Sequence, residues 1–320
     1  MIRKNPQLRS VPDCSNCNRV GKILQARSCV LPLPARDERG EGWGEGFPFF
    51  PFRTPHSALY ILMMLALLAT PGCATAQPKT PSPVTFRVMT YNLQHGAGAD
   101  YQIDLLRTAE AIKHEQPDIV ALEEVDNGVE RTARRDLTAE LAALTGLTGY
   151  FSNNFNFQGG LYGNAVLTRF PILQQTNTHY QMIRPKEQRG IIQLILDVHG
   201  RKLLFMATHI DYRKENQERL LNVAEIKRII AQYPGLPIVL CGDFNDFPNT
   251  PVHHAMKESF DDTWELIGQG EGLTFPSPKP NRRIDYIWLL KDKSVIPLKA
   301  WVPETQASDH RPFVADFQLK

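Results

Sequence analysis

The stretch Gly190-Ile191-Ile192-Gln193-Leu194-Ile195-Leu196-Asp197-Val198-His199-Gly200-Arg201-Lys202-Leu203-Leu204-Phe205-Met206-Ala207-Thr208 decides the fold class. It holds two near-continuous apolar runs, Gly190–Val198 and Lys202–Thr208, joined through Gly200 at the spacing of a hairpin. A hairpin has no place in a purely parallel, doubly wound sheet. Outward from it, short apolar runs closed by Gly, Pro or Asn recur at Thr85–Tyr91, Asp118–Leu122, Asn164–Thr168, Pro237–Leu240, Ile284–Leu290 and Pro312–Leu319, and each reads as a strand. Between them, Asp104–His114, Leu137–Leu144 and Glu215–Ala231 place apolar residues at helical spacing along one face. The expectation is an α/β chain folded as a four-layer α-β-β-α sandwich, with two mixed, mostly antiparallel sheets covered by helices over residues 84–320. No internal repeat is strong enough in sequence to claim.

The first eighty residues have a different character. Ala58–Ala69 is uncharged and apolar, yet shorter than the roughly 20 residues a membrane-spanning helix needs. With Arg53 and His56 ahead of it and Ala74-Thr75-Ala76 behind, residues 53–76 read as a signal peptide, and the protein as exported to the periplasm, the medium or a membrane surface. Gly72-Cys73 offers a second processing site, resembling a lipoprotein box, so lipid anchoring stays open beside cleavage after Ala76. Residues 1–52, rich in Pro, Gly and Arg and without periodicity, read as disordered or as a translation start placed too early, and 77–83 as a Pro-rich linker.

A formal net charge of +2 is too mild to demand a polyanionic partner. Of the five cysteines only Cys241 falls within 84–320, which excludes a disulfide framework there, and its apolar neighbours mark it as a buried small hydrophobe. Cys14 and Cys17 have zinc-knuckle spacing but lack a partner pair, since Cys29 stands alone with no nearby His.

Acids, amides and histidines gather at the ends of the apolar runs. Asn92 ends the first, Glu123 and Glu124 the second; His209 and Asp211 follow Thr208; Asp243 and Asn245 follow Gly242. Asp285 sits in Arg283-Ile284-Asp285-Tyr286-Ile287, and Ser308-Asp309-His310 precedes the last run. One such residue is an ordinary turn-former; six groups together suggest side chains converging on one rim. Hard oxygen ligands without paired thiols suit Mg²⁺ or Mn²⁺, and two histidines with carboxylates nearby add proton donors for a phosphoryl oxygen. No Gly-x-Ser-x-Gly elbow or phosphate-cradling glycine loop is present, so a covalent mechanism finds no support.

Met89-Thr90-Tyr91-Asn92-Leu93, Leu122-Glu123-Glu124-Val125, Tyr162-Gly163-Asn164-Ala165-Val166-Leu167-Thr168-Arg169, Thr208-His209, Gly242-Asp243-Phe244-Asn245, Arg283–Ile287 and Ser308-Asp309-His310-Arg311-Pro312 resemble, in order, the motifs of the endonuclease/exonuclease/phosphatase superfamily. The resemblance implies a deoxyribonuclease-like sandwich and a metal-dependent hydrolase of phosphate esters. It implies Glu124 as the principal metal ligand, with Asn92 and Asp309 completing or supporting the site. Asp243 would orient or deprotonate the attacking water, Asn245 would bind the phosphate, His310 held by Asp285 would stabilise phosphoryl oxygens, and His209 would contact phosphate or assist the leaving group. Glu123 stands where the superfamily usually has Gln, and is expected to add negative charge beside the metal.

Substrate choice is expected in Asp126–Gln158, where Arg131, Arg134 and Arg135 precede an aromatic, amide-rich loop running from Tyr150 to Phe157. Arg131, Asn164 and Arg189 are candidate substrate contacts. The stretch from Glu124 to Arg131, with Tyr162-Gly163-Asn164, is most similar to a bacterial branch resembling the hydrolase domain of GPI-anchor lipid-remodelling proteins. That points to a phosphodiester in a lipid or sugar-phosphate head group. An extracellular nuclease and a non-catalytic binding module on the same fold stay open as alternatives. No protein partner is implied; a monomer is expected, with membrane association through the leader or a lipid anchor.

Overall fold

The computed structural model of the protein describes residues 83–320. The expected leader, the early start and the linker before Pro83 lie outside the described residues. The first sheet orders its six strands β11-β12-β1-β2-β4-β3, from β1 (Val84–Asn92), β2 (Ile119–Asn127), β3 (Thr148–Phe157), β4 (Gly160–Thr168), β11 (Val295–Trp301) and β12 (Phe313–Leu319). The second orders β5-β6-β7-β8-β10-β9, from β5 (Ile172–His179), β6 (Gly190–Val198), β7 (Arg201–His209), β8 (Ile238–Asp243), β9 (Phe260–Asp262) and β10 (Asp285–Leu290).

Each sheet has one parallel pair at its centre, β1 with β2 and β7 with β8, and antiparallel partners on either side. The parallel pairs are bridged by α1 (Leu105–Glu115) and α3 (Gln217–Ile230), as a crossover connection requires. The expected hairpin is present, with β6 and β7 paired from Ile191 opposite Thr208 to Val198 opposite Arg201.

Alternation along the strands builds three apolar layers. Val88, Ala121, Val166, Leu194, Phe205, Cys241, Ile287 and Ala315 fill the space between the sheets. Met89, Tyr91, Val120 and Leu122 face the other way and pack against Leu105, Ala109 and Ile112 of α1 and Leu137 and Leu141 of α2 (Leu137–Thr145). On the opposite outer face Leu204, Met206, Leu240 and Trp288 meet Val223, Ile226 and Ile229 of α3. Central strands are therefore apolar on both faces, which is why they read as near-continuous runs. Each large side chain such as Phe205, fully buried, contributes about 1.5–3 kcal/mol by leaving water.

Caps set the helix starts. The Asp104 carboxylate accepts from Leu106 N and Arg107 N at α1, and Asp136 accepts from Ala139 N at α2. Two short helices, α4 (Pro251–Lys257) and α5 (Thr263–Ile267), were not expected from the sequence. Four strands were also missed: β3, β5, β9 and β11. All four are sheet edges. The region Tyr150–Phe157, expected as a loop, is most of β3; Asn153, Asn154 and Asn156 interrupt its apolar pattern because an edge strand has fewer sides to bury.

Candidate active site

The polar strand ends meet at one end of the sandwich, around a cleft of about 450 Å³ lined by Glu124, Asp309, His310, His209, Asp243 and Asn245 among others. Sheet register supplies part of this convergence. His209, Asp243 and Asp285 are direct neighbours across β7, β8 and β10, as are Thr208, Gly242 and Tyr286 one step behind them. Gly242 lies at φ +151, and a Cβ there would come within 1.8 Å of the Thr208 carbonyl oxygen. The strands can approach so closely only because that position lacks a side chain.

A bulge places the principal acid. Leu122 pairs with Ala165 and Val125 with Gly163, so both Glu123 and Glu124 stand opposite Asn164 alone, and Glu124 takes φ +58. The two neighbouring glutamates thereby separate. Glu124 opens to the cleft. Glu123 is fully buried between the sheets, accepting from Thr90 Oγ1 at 3.1 Å. Burial, then the Asp285 and Asp243 carboxylates, raises Glu123 well above the usual carboxylate range. Burial thus disfavours the extra negative charge expected beside a metal, and Glu123 is turned into the interior, away from the cleft lining.

Asn92 is at the site but is turned. Its Oδ1 accepts from Gln94 N at 3.0 Å, while Nδ2 donates to Glu124 Oε1 at 3.3 Å and Asp243 Oδ2 at 3.1 Å. Gln94 and His95, both at positive φ (45° and 48°), make the tight turn that delivers this N–H. The amide thus orients two carboxylates of the cleft. Glu124 and Asp309 are the further carboxylates that could hold a divalent cation. Both line the cleft and neither is paired to Lys or Arg among the described residues. Burial raises each above the usual carboxylate range, a cost that a bound cation would reverse.

Asp243, Asp285 and His310 bring one ligand atom each within 4.8 Å of one another, but the geometry suits proton holding. His310 Nδ1 lies 2.9 Å from Asp285 Oδ2, and its Nε2 is 3.8 Å from Asp243 Oδ2. Burial alone would lower the imidazole; the carboxylates of Asp285, Asp243 and Asp309 outweigh it and raise His310 to about 10. It is an imidazolium at neutral pH. Asp243 is raised by burial and then by the Asp285 carboxylate, which makes it a better base than an exposed aspartate. A second cluster, His253, Asp262 and Glu265, already holds its cations: Arg283 reaches Asp262 at 2.7 Å and Lys257 reaches Glu265 at 2.5 Å.

His209 has a carboxylate within reach, as expected, and a guanidinium beside it, which was not. Its Nδ1 is 3.0 Å from Arg189 Nη1, and its Nε2 is 2.8 Å from Asn245 Nδ2 and 3.4 Å from Asp243 Oδ2. Burial first, then Arg189 and His310, push it well below its ordinary value. Asp211, the neighbouring acid in sequence, instead pairs with Arg213 at 3.2 Å.

Arg131 and Arg189 both line the cleft as expected. Arg131 is gripped by the buried Asp126 at 2.8 and 2.9 Å and lies over the rings of Phe157 (4.9 Å) and Tyr162 (5.5 Å). Asn164 is not a cleft residue: its Nδ2 donates to the Gly190 carbonyl at 3.2 Å, tying β4 to β6 inside the sandwich. Arg134 binds the Gly128 and Gln158 carbonyls and Arg135 pairs with Glu140, away from the cleft lining. The sequence reading had assigned no role to Tyr162, Tyr212, Phe275 and Arg282, which complete the wall. Of these only Tyr162 carried a signal, as the first residue of Tyr162-Gly163-Asn164-Ala165.

With this geometry the chain matches known proteins. A 259-residue alignment at 26% identity, covering 76% of this chain and 100% of the relative, joins it to uncharacterized protein YbhP of Escherichia coli. Among solved structures, an endonuclease/exonuclease/phosphatase from Beutenbergia cavernae superposes with a TM-score of 0.59 at 25% identity, covering 74% of this chain and 72% of that one. The mannosyl-6-phosphatase Bt3783 of Bacteroides thetaiotaomicron shares the fold, with a TM-score of 0.62 at 16% identity over 72% of this chain and 99% of that one. The model of the Endonuclease/Exonuclease/phosphatase family matches residues 89–310. That span is well over half of the chain and holds nearly every polar residue of the cleft, and the chain belongs to the endonuclease/exonuclease/phosphatase family.

Proposed function

We propose that the protein is an exported, Mg²⁺- or Mn²⁺-dependent phosphodiesterase acting on a lipid or sugar-phosphate head group, of the kind handled by GPI-anchor lipid-remodelling proteins. The observation that carries the hydrolytic part is the meeting of Glu124 and Asp309, a buried Asp243 of raised basicity, and an imidazolium at His310 in one cleft. A divalent ion held by Glu124 and Asp309 would neutralise charge on the phosphoryl oxygens. Asp243 takes the proton of an attacking water. Asn245 and His209 hold the phosphate, and the His310 cation stabilises the charge that grows in the transition state.

The wall of the cleft supports a head group over a nucleobase. Arg131 covers the faces of Phe157 and Tyr162, and Arg282 covers Phe275 at 5.5 Å. With guanidinium groups over them, these rings offer the substrate a rim of arginine N–H groups, which suits a phosphate-bearing head group. Export rests on the leader at 53–76, and N-terminal processing is read by mass spectrometry of the native protein.

The test is hydrolysis of bis-p-nitrophenyl phosphate, sphingomyelin and plasmid DNA in parallel, with Mg²⁺, Mn²⁺ or EDTA, beside Glu124→Ala and His310→Ala. Metal-dependent turnover lost in both variants, with the lipid cleaved faster than DNA, is the expected result. Faster cleavage of DNA would replace the head-group reading with a nuclease, and a folded protein that binds no metal would end the hydrolase reading.

A further inference from the structure

The contacts of His209 settle more than its place in the cleft. An arginine guanidinium carries N–H donors and no acceptor, and it stays protonated in proteins. Arg189 Nη1 lies 3.0 Å from His209 Nδ1, so that ring nitrogen must present its lone pair. Arg189 has little freedom to do otherwise: it is 6% exposed, its Nη2 reaches Glu187 at 3.3 Å, and its guanidinium lies 5.7 Å from the Tyr212 ring centre. An imidazole with Nδ1 bare carries its one proton on Nε2.

Nε2 in turn has two near neighbours, Asn245 Nδ2 at 2.8 Å and Asp243 Oδ2 at 3.4 Å. Two donors facing each other at 2.8 Å repel. A half-turn of the amide exchanges its oxygen and nitrogen at almost no cost in shape. The contact given up is the long one from Asn245 Nδ2 to the Ile210 carbonyl, at 3.4 Å. Resting on the hydrolase reading above, we propose that Arg189 is a positioning residue that fixes His209 as the neutral Nε2–H tautomer, with the oxygen of Asn245 accepting from it. His209 then spends its single N–H on Asn245 and acts at the phosphate through that amide. Any proton handed to the leaving group must then come from elsewhere in the cleft.

The experiment is nitrogen NMR of the full-length protein with ¹⁵N-labelled histidine, the His209 signals being assigned by their loss in His209→Gln. The expected spectrum at neutral pH shows His209 protonated on Nε2 and bare on Nδ1. A proton on Nδ1, or on both nitrogens, overturns the proposal. Arg189→Met and Arg189→Lys sharpen it: the methionine variant loses the fixed tautomer, and kcat falls about tenfold or more with a smaller change in KM. The lysine variant, which keeps a donor, restores the tautomer; equal spectra for native and methionine protein would overturn the assignment. The native spectrum needs no substrate, so absence of hydrolysis on every substrate tried, with the tautomer as expected, would count against the function and not against this arrangement.

Discussion

The two flanks of the cleft hold the same side chain in opposite states. On one, His310 is buried against Asp285 and is raised to about 10; on the other, His209 is equally buried against Arg189 and is lowered well below its ordinary value. Burial favours the neutral ring in both places. The difference comes from one neighbour: a carboxylate 2.9 Å from Nδ1 on the first flank, a guanidinium 3.0 Å from Nδ1 on the second. A histidine at a catalytic rim is thus a blank until its partner is known, and the pairing divides the labour into a cation and a fixed donor.

The largest effect is expected where that comparison is broken outright. Asp285→Asn keeps a hydrogen-bond acceptor for His310 and removes the charge that sustains its proton. We expect kcat to fall about 10²–10⁴-fold, the range of a lost acid–base group, or about 3–5 kcal/mol of barrier, with KM little changed. Steady-state kinetics on bis-p-nitrophenyl phosphate decides it. A loss no greater than that of Arg189→Met would mean that the carboxylate-held flank has no special weight.

Gly242 sharpens the comparison from behind, because it stands in register between Thr208, which precedes His209, and Tyr286, which follows Asp285. A methyl at φ +151 and 1.8 Å from a backbone oxygen forces β7 and β8 apart. Gly242→Ala should cost about 1–3 kcal/mol, as overpacking does, and lower the activity of both flanks together. Thermal unfolding alongside kinetics checks this; an unchanged melting temperature would show that the strands can yield without cost.

The same contrast explains what the sequence could and could not say. Central strands were legible because both faces are buried, whereas β3, β5, β9 and β11 were not, because an edge strand such as Ile172–His179 carries Gln, Thr and Asn where a core strand carries Val and Ile. The polar rim was legible as residue types at strand ends, and the pairing of Asp285 with His310 came with the family resemblance. Three things had no sequence signal. The β2 bulge aims Glu123 and Glu124 in different directions; Asn164, inside a matching motif, points between the sheets; and the partner of His209 comes from the loop just before β6, twenty residues earlier. Each depends on which face a side chain takes, and a one-residue irregularity in a strand reverses that face.

A third histidine extends the comparison to the first sheet with the smallest effect. His95 lies in the strained turn after β1, half-buried, with Nδ1 buried and without a hydrogen bond. Burial, and then the Arg131 guanidinium, lower it to about 4, against a weaker opposing pull from Asp126. It repeats the logic of His209: burial and a nearby arginine outweigh the carboxylate in reach and favour the neutral ring. The sign follows from proton counting. Above pH ~6.5 the ring is neutral in both folded and unfolded chains, and its contribution to stability is fully present. As pH falls from there toward about 4, the unfolded chain binds a proton that the native state refuses, and that contribution is lost. His95→Gln cannot take up the proton, so its melting temperature should fall less steeply than that of the native protein across this window, by a few degrees at most. Parallel curves for the two proteins between pH 7 and 4 would mean that His95 finds its proton's place in the folded state, and that burial beside an arginine does not by itself keep a histidine neutral.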